Sequence, residues 1–166
     1  AARVVMAMTG DKLYLRNVRE EDSRLLWEWA NDPDVRVVSF SSAPIPWEGH
    51  LEWFHAKVRN PHCVFFIATD SEDVPVGQVR YDLMNDEATI SVSLDRQHRG
   101  KGYGGLLLRL SAQALFATTH LSTIHAYVKP DNHASLRAFE KAGYTHSGTS
   151  ETAGQPAVHL ILRRSL

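Results

Sequence analysis

The segment Leu94-Asp95-Arg96-Gln97-His98-Arg99-Gly100-Lys101-Gly102-Tyr103-Gly104-Gly105 gathers glycines and cations at a spacing that suits an anion. Glycine lets a backbone come close to a ligand and take positive φ. The first turn of a helix has N–H groups without intrahelical acceptors at the positive end of the dipole, which suits a phosphate or pyrophosphate. Arg96, Arg99 and Lys101 add positive charge, and no acid follows Asp95 within the segment. A Gly-x-Gly pair alone is weak evidence, since most such pairs are ordinary turns. This one fits neither a dinucleotide fingerprint nor a P-loop, since no Gly-Lys-Ser/Thr follows.

Other side chains that could do chemistry are scattered. Nine histidines are present, and each has an ordinary reading as a surface or core residue. The single cysteine, Cys63, excludes an internal disulfide framework. No metal-ligand spacing is visible, and no nucleic-acid recognition module accompanies the short basic stretch.

The elements that must position the glycine segment follow from periodicity. Lys12–Val18 alternates with period two and reads as a strand; residues 20–31 place Leu25, Leu26 and Trp29 on one helical face, ended by Asp32-Pro33. Trp47–Arg59 reads as a second helix, His62–Thr69 and Val76–Leu83 as strands, and Thr89–Leu94 as a β-branched strand. Gly102–Ala117 is expected as a helix on a stripe of Leu106, Leu107, Leu110 and Ala114. His120–Val128 is then a strand and Asp131–Ala142 a helix, with Gly143 suited to the left-handed position after it. Two last strands start near Tyr144 and Ala157.

A chain of 166 residues carries one domain's worth of core, expected over 11–166 behind a tail at 1–10. Composition excludes collagen, a coiled coil and a disordered tail, and no apolar run approaches the ~18 residues that span a bilayer. The opening residues have too short an apolar stretch for a secretory signal; with the lone cysteine this points to the cytoplasm. A start without methionine fits a processed end, or a domain excised from or fused to an upstream one. The net charge of −1 conceals a split. Residues 1–95 hold 16 acids against 9 Lys and Arg, and residues 96–166 hold 3 against 9, so the seam falls at the glycine segment.

Gln97-x-x-Gly100-x-Gly102 between a strand and a helix resembles the acetyl-CoA signature of the GNAT N-acetyltransferase superfamily. Val128-Lys129-Pro130-Asp131-Asn132-His133-Ala134-Ser135, with Phe139 and Gly143-Tyr144 after it, is similar to that superfamily's second motif. The resemblance covers residues 11–164. It implies an α/β (α+β) fold with a mixed, mostly antiparallel sheet of about six to seven strands and about four flanking helices. A central parallel pair, ending near Leu94 and Val128, would splay apart. The pantetheine arm of acetyl-CoA would bond to backbone at Val92, Ser93 and Leu94. Its pyrophosphate would lie on the segment of Gln97, Arg99, Gly100, Lys101, Gly102, Tyr103 and Gly104, with Asn132, Ser135 and Phe139 beside the arm. Asn132 is also a plain helix N-cap, and Ser135 an ordinary surface residue.

Transfer of acetyl to an amine needs a base, an oxyanion donor and, for some leaving groups, an acid. Many superfamily members place a tyrosine acid where this chain has Phe139, which has no proton to give. Ser135, one turn earlier, or unassisted departure of the thiol replaces it. Among His50, Glu48, Asp82 and Glu87, His50 has the best-placed ordinary pKa for a base, ~6.5.

Leu15-Arg16, Trp27, the run Trp29-Ala30-Asn31-Asp32-Pro33-Asp34-Val35-Arg36, and His50-Leu51-Glu52-Trp53-Phe54 resemble the amino-sugar N-acetyltransferases of the pseudaminic-acid (nonulosonic acid) pathway. That likeness implies a small-molecule amine acceptor, the 4-amino group of a nucleotide-linked amino-dideoxy sugar. Trp27 and Trp53 would stack on it, Arg36 would meet its diphosphate, and Asn31 and His50 would lie beside it. Ribosomal-protein Nα-acetyltransferases share part of the run, and a non-catalytic acetyl-CoA-binding module is the third alternative. Neither nucleic acid nor membrane is an expected partner, and a homodimer is left open.

Overall fold

The computed structural model describes residues 4–8 and 11–165. The first half of the chain forms β1 (Val4–Met8), β2 (Asp11–Asn17), α1 (Ser23–Ala30), α2 (Pro33–Val38), α3 (Trp47–Arg59), β3 (Cys63–Thr69) and β4 (Pro75–Met84). The second half forms β5 (Glu87–Leu94), α4 (Tyr103–Thr118), β6 (Thr123–Val128), α5 (His133–Lys141), β7 (Thr145–Thr152) and β8 (Gln155–Arg163). The eight strands make one sheet in the order β1-β2-β3-β4-β5-β6-β8-β7. Every neighbouring pair is antiparallel except β5 and β6.

Alternation along the strands divides the sheet into two faces with different jobs. One face presents Val79 and Tyr81 of β4, Ala88 and Ile90 of β5, Ile124, Ala126 and Val128 of β6, and Leu160 of β8. These pack on α4, whose Leu106, Leu107, Leu108, Leu110 and Leu115 are buried. Burying each such leucine is worth about 1.5–3 kcal/mol, so α4 anchors the central strands. On the other face Phe65 and Ile67 of β3 meet Leu26 and Trp29 of α1 and Phe54 of α3. Arg16 of β2 ties down the start of α1, giving two hydrogen bonds to Asp22 at 2.7 and 2.9 Å.

The mixed sheet with a central parallel pair matches the sequence expectation, with one strand more. Val4–Met8 pairs with β2 inside the expected tail; residues 1–3, 9 and 10 of that tail lie outside the described residues. The Asp32-Pro33 step ends one helix and opens another. The Asp32 carboxylate accepts from the Asp34 N–H, and Pro33 sits in the first turn, where a missing N–H costs nothing. β6 starts at Thr123 rather than His120, because the carbonyls of Thr119 and Leu121 accept from Arg164 instead of a strand ladder. Among the described residues no helix is long and apolar enough to cross a membrane.

Candidate active site

The turn between β5 and α4 has the backbone geometry that suits an anion. Gly100 and Gly102 have φ of +74° and +83°, and Gly102 caps α4. Nothing lies within 4 Å of the place a Cβ would take at either glycine, so the surface above the turn is open. At Gly104 and Gly105 the nearest contacts are to Ala138 and Lys141 of α5, which lets the two helices pack closely. Asp95 secures the other end of the turn. Its carboxylate accepts from Trp29 Nε1 of α1 at 3.1 Å, from the Gln97 N–H at 3.0 Å and from His98 Nδ1 at 3.1 Å. Burial alone would raise the Asp95 carboxyl, but these hydrogen bonds outweigh it and hold it below the usual range.

Two of the cations of this turn, Arg96 and Arg99, are already paired. Arg96 and Arg99 both reach Asp32 at the start of α2, at 2.9 and 3.0 Å, and Arg99 also reaches Asp34 at 3.4 Å. The Arg96 hydrogen bond, with Arg99 behind it, holds the Asp32 carboxyl far below the ordinary carboxylate range. The acidic and basic halves of the chain therefore meet here, through Asp32 and Asp34 on one side and Arg96 and Arg99 on the other. Asp34 is exposed and competes for the guanidinium a bound phosphate would need. Replacing Asp34 with Asn is expected to tighten acetyl-CoA binding about 1.5- to 5-fold, the ~0.2–1 kcal/mol range of an exposed pair. Isothermal titration at low and high salt checks this, and the gain should shrink at high salt.

β5 and β6 pair only at Glu87–Thr123, Ala88–Ile124 and Thr89–His125. Beyond Thr89 they part, leaving backbone groups of β5 without a ladder partner on that side. A cleft of about 1450 Å³ opens there and runs past the cradle. Its lining includes Val92, Ser93, Leu94, Arg99, Gly100, Gly102 and Gly104 from the β5–α4 segment, and Asn132, Ser135 and Phe139 from α5. Asn132 caps α5 by accepting from the Ser135 N–H at 3.3 Å. Phe139 is buried edge-on against Tyr144, with centroids 4.9 Å apart. Gln97, Lys101 and Tyr103 lie on the cradle turn but outside the cleft lining. Helix geometry, the parted strands and the open glycine turn together fit a pyrophosphate with a long arm.

The residues expected around the acceptor divide. Trp53, Arg36 and His50 line the cleft; Trp27 and Asn31 do not. Both of the latter spend their polar groups on Ile45. Trp27 Nε1 donates to its carbonyl at 2.8 Å, and Asn31 bonds the same carbonyl and the Ile45 N–H at 3.0 and 2.8 Å. Arg36 donates to the carbonyls of Ala30, Ser41 and Ala43, so its guanidinium shapes the loop after α2 rather than waiting for a diphosphate.

His50 is 3% exposed, with Nε2 2.7 Å from the Ser23 carbonyl oxygen and its ring among Trp47, Trp53 and Phe54. A carbonyl only accepts, so Nε2 carries the proton. Burial lowers the His50 pKa against the smaller opposing pull of that carbonyl. This is the environment of a packed, neutral core histidine.

Periodicity had no means to single out Gln78 and Arg80. Both point to the cleft from β4, across from Ser93 and Ser91 of β5. Gln78 Nε2 donates to Ser93 Oγ at 3.1 Å, while its Oε1 is buried with no hydrogen-bond partner among the described residues. The Arg80 guanidinium lies 5.0 Å from the Trp53 ring centroid and 5.9 Å from that of Phe65. The i, i+2 spacing of cleft-facing polar residues on a strand was the only trace of them in the sequence.

Residues 12–145 match the acetyltransferase (GNAT) domain family. The chain is 35% identical over 184 aligned positions to an aminoglycoside N(6')-acetyltransferase type 1 of Klebsiella pneumoniae, covering 96% of this chain and 87% of that protein. It is 28% identical over 130 positions to an L-2,4-diaminobutyric acid acetyltransferase of Streptomyces anulatus, covering 77% and 69%. The fold superposes on the crystal structure of aminoglycoside acetyltransferase AAC(6')-Ib with coenzyme A and kanamycin at a TM-score of 0.81, with 24% identity over 92% of this chain and 95% of that one. The glycine cradle, the parted parallel strands and these likenesses place the chain in the GNAT acetyltransferase family, as an acetyl-CoA-dependent N-acetyltransferase.

Proposed function

We propose that the acceptor is the 4-amino group of a nucleotide-linked amino-dideoxy sugar. The charge of the cleft carries this reading. Arg80 and Lys129 line its acceptor side, whereas the acid there is Asp34, already paired with Arg99. Such a lining favours an anionic ligand over a polycation. Trp53 offers a ring for a sugar or base to stack on, and the unpartnered Gln78 Oε1 suits an amine or hydroxyl donor. An aminoglycoside acceptor is the second reading, favoured by the 35% identity to the Klebsiella pneumoniae enzyme.

The test is thiol release from acetyl-CoA with a UDP-linked 4-amino-4,6-dideoxy sugar, kanamycin, spermidine and an N-terminal peptide. The nucleotide sugar is expected to give the highest kcat/KM, by at least about tenfold, an energy gap of ~1.4 kcal/mol. A higher value for kanamycin would replace this reading with the second.

Acetyl-CoA supplies the acetyl group as a thioester. The chain's part is to hold the arm along the parted edge of β5, whose free N–H groups near Leu94 suit a developing oxyanion. Phe139 donates no proton, and a thiol of pKa ~8.5 leaves without one at modest cost. Ser135→Ala is therefore expected to lower kcat less than about tenfold, and Phe139→Tyr to leave it within about threefold. Steady-state kinetics with the best acceptor decide. A loss above about 100-fold in Ser135→Ala would make that hydroxyl the acid.

A further inference from the structure

The face of the sheet opposite α4 has a polar floor. Val79 and Tyr81 of β4, and Ile90, Val92 and Leu94 of β5, turn toward the α4 core. Alternation therefore puts Gln78, Arg80, Ser91 and Ser93 on the other face, where all four line the cleft together with Trp53 and Phe65. Gln78 pairs with Ser93 across the β4–β5 ladder, and its Nε2 donates to Ser93 Oγ at 3.1 Å. That bond fixes the amide. Gln78 Oε1 is buried and accepts nothing among the described residues.

A buried carbonyl oxygen without a donor lowers stability, so a fold that keeps one draws its hydrogen from elsewhere. On the reading above, two ligands share this cleft. The arm of acetyl-CoA follows the edge of β5 that parts from β6, whereas β4 lies along the opposite edge of β5. β5 itself therefore stands between Gln78 and the arm. The acceptor comes in over the second face, beside Trp53 and Arg80. We propose that Gln78 Oε1 holds the attacking nitrogen of the acceptor by accepting one of its hydrogens.

The nitrogen enters as the neutral amine, with two hydrogens and a lone pair. Gln78 holds one hydrogen and takes no proton, since an amide oxygen accepts a hydrogen bond without acting as a base at neutral pH. The lone pair forms the C–N bond to the acyl carbon, and the C–S bond breaks. The second hydrogen leaves as a proton and ends on the thiol sulfur, so the products are the amide and the thiol. Arg80 stands two residues along β4, ion-paired with Asp82, which Lys57 also reaches. Asp82 is committed to those two cations, so this floor favours an uncharged nitrogen over an ammonium ion.

This inference rests on acetyl transfer to an amine in this cleft, as proposed above, but not on which amine. Gln78→Leu is expected to lower kcat/KM for the UDP-linked amino sugar about 10- to 100-fold, the effect of a misplaced nucleophile. The KM for acetyl-CoA should not change. Gln78→Glu keeps an oxygen acceptor at the same reach and should recover part of the loss. Without ligand, Gln78→Leu should melt at or above the wild-type temperature, because an unpaired buried oxygen is gone. A fall of several degrees would make the side chain structural and overturn the proposal. Carbon-13 NMR of the Gln78 carboxamide carbon reads the contact in the wild-type protein. Its signal is expected to stay in place when CoA is added and to move when the amino sugar joins the CoA complex. A shift complete with CoA alone gives the oxygen to the arm and overturns the proposal. So does a signal that neither ligand moves, which leaves the oxygen to an ordered water, or a Gln78→Leu enzyme with wild-type kcat/KM. If kanamycin is the better acceptor, the nucleotide-sugar reading fails alone, and the same loss in Gln78→Leu is expected with kanamycin. A wild-type enzyme that binds acetyl-CoA yet acetylates none of the four acceptors overturns the proposed transfer and this inference with it.

Discussion

Gly102→Pro is expected to abolish the rise in melting temperature that acetyl-CoA gives the wild-type protein. Gly102 sits at φ +83°, and proline locks φ near −65°, so the turn leading into α4 has to be rebuilt. The rebuilt turn no longer aims the first amides of α4 at the cradle, and the new ring occupies space that is open above the glycine. Ligand at about 100 times Kd stabilises a native state by ~2.7 kcal/mol. For a domain of this size that corresponds to a shift of about 5–10 °C, which differential scanning fluorimetry resolves. The variant should lose this shift while its apo protein still melts cooperatively. The large apolar contacts of α4 begin at Leu106, one turn beyond the substitution, and the Asp95 anchor lies before it. A variant that melts cooperatively and still gains several degrees from acetyl-CoA would remove the pyrophosphate from this turn.

The glycine turn was readable from sequence because everything that builds it is local. Gly100, Gly102 and the leucine stripe of α4 lie within one strand–turn–helix unit, and their types state the backbone conformation directly. The parting of β5 and β6 was reachable only by resemblance, since no local pattern says that pairing stops at Thr89. The acceptor side misled for a physical reason. Trp27, Asn31 and Arg36 have the side chains a sugar-binding surface uses, but the same groups satisfy buried backbone. Here they serve the loop around Ile45 and the residues before it. A polar side chain in a sequence does not announce which of the two it does.

His50 illustrates the same limit, because a favourable ordinary pKa says nothing about a carbonyl 27 residues away that takes up its nitrogen. Gln78 and Ser93 lie 15 residues apart and become neighbours only through the β4–β5 ladder. The split of acid and base along the chain carried more than composition implied. Asp32 and Asp34 come from the acidic half and hold Arg96 and Arg99 from the basic half, so the seam is a contact in three dimensions.

Arg80 is the sharpest probe of acceptor class. Its Nε donates to Asp82 at 3.1 Å and its Cζ lies over the Trp53 ring, which holds the side chain, while its Nη atoms have no hydrogen-bond partner among the described residues. A guanidinium so held offers two parallel donors to a phosphate or carboxylate. Arg80→Met keeps an apolar stem against Trp53 and Phe65 and removes the charge. The fold should survive, because Asp82 retains Lys57 at 2.7 Å and so keeps a counter-ion. Burial would raise the Asp82 carboxyl, and Lys57 and Arg80 together hold it below the usual range, so one of two cations remains. A hydrogen bond to a charged group contributes about 1.5–3 kcal/mol, and the KM for the nucleotide sugar should rise about 10- to 150-fold. The KM for acetyl-CoA should not move, since the cradle draws on Arg99 and the α4 amides. For kanamycin the sign reverses: removing a cation from the cleft lowers the KM of a polycation. Steady-state kinetics of both acceptors against both enzymes read the sign directly. An Arg80→Met enzyme whose nucleotide-sugar KM is unchanged would show that the charge of this face does not select the acceptor.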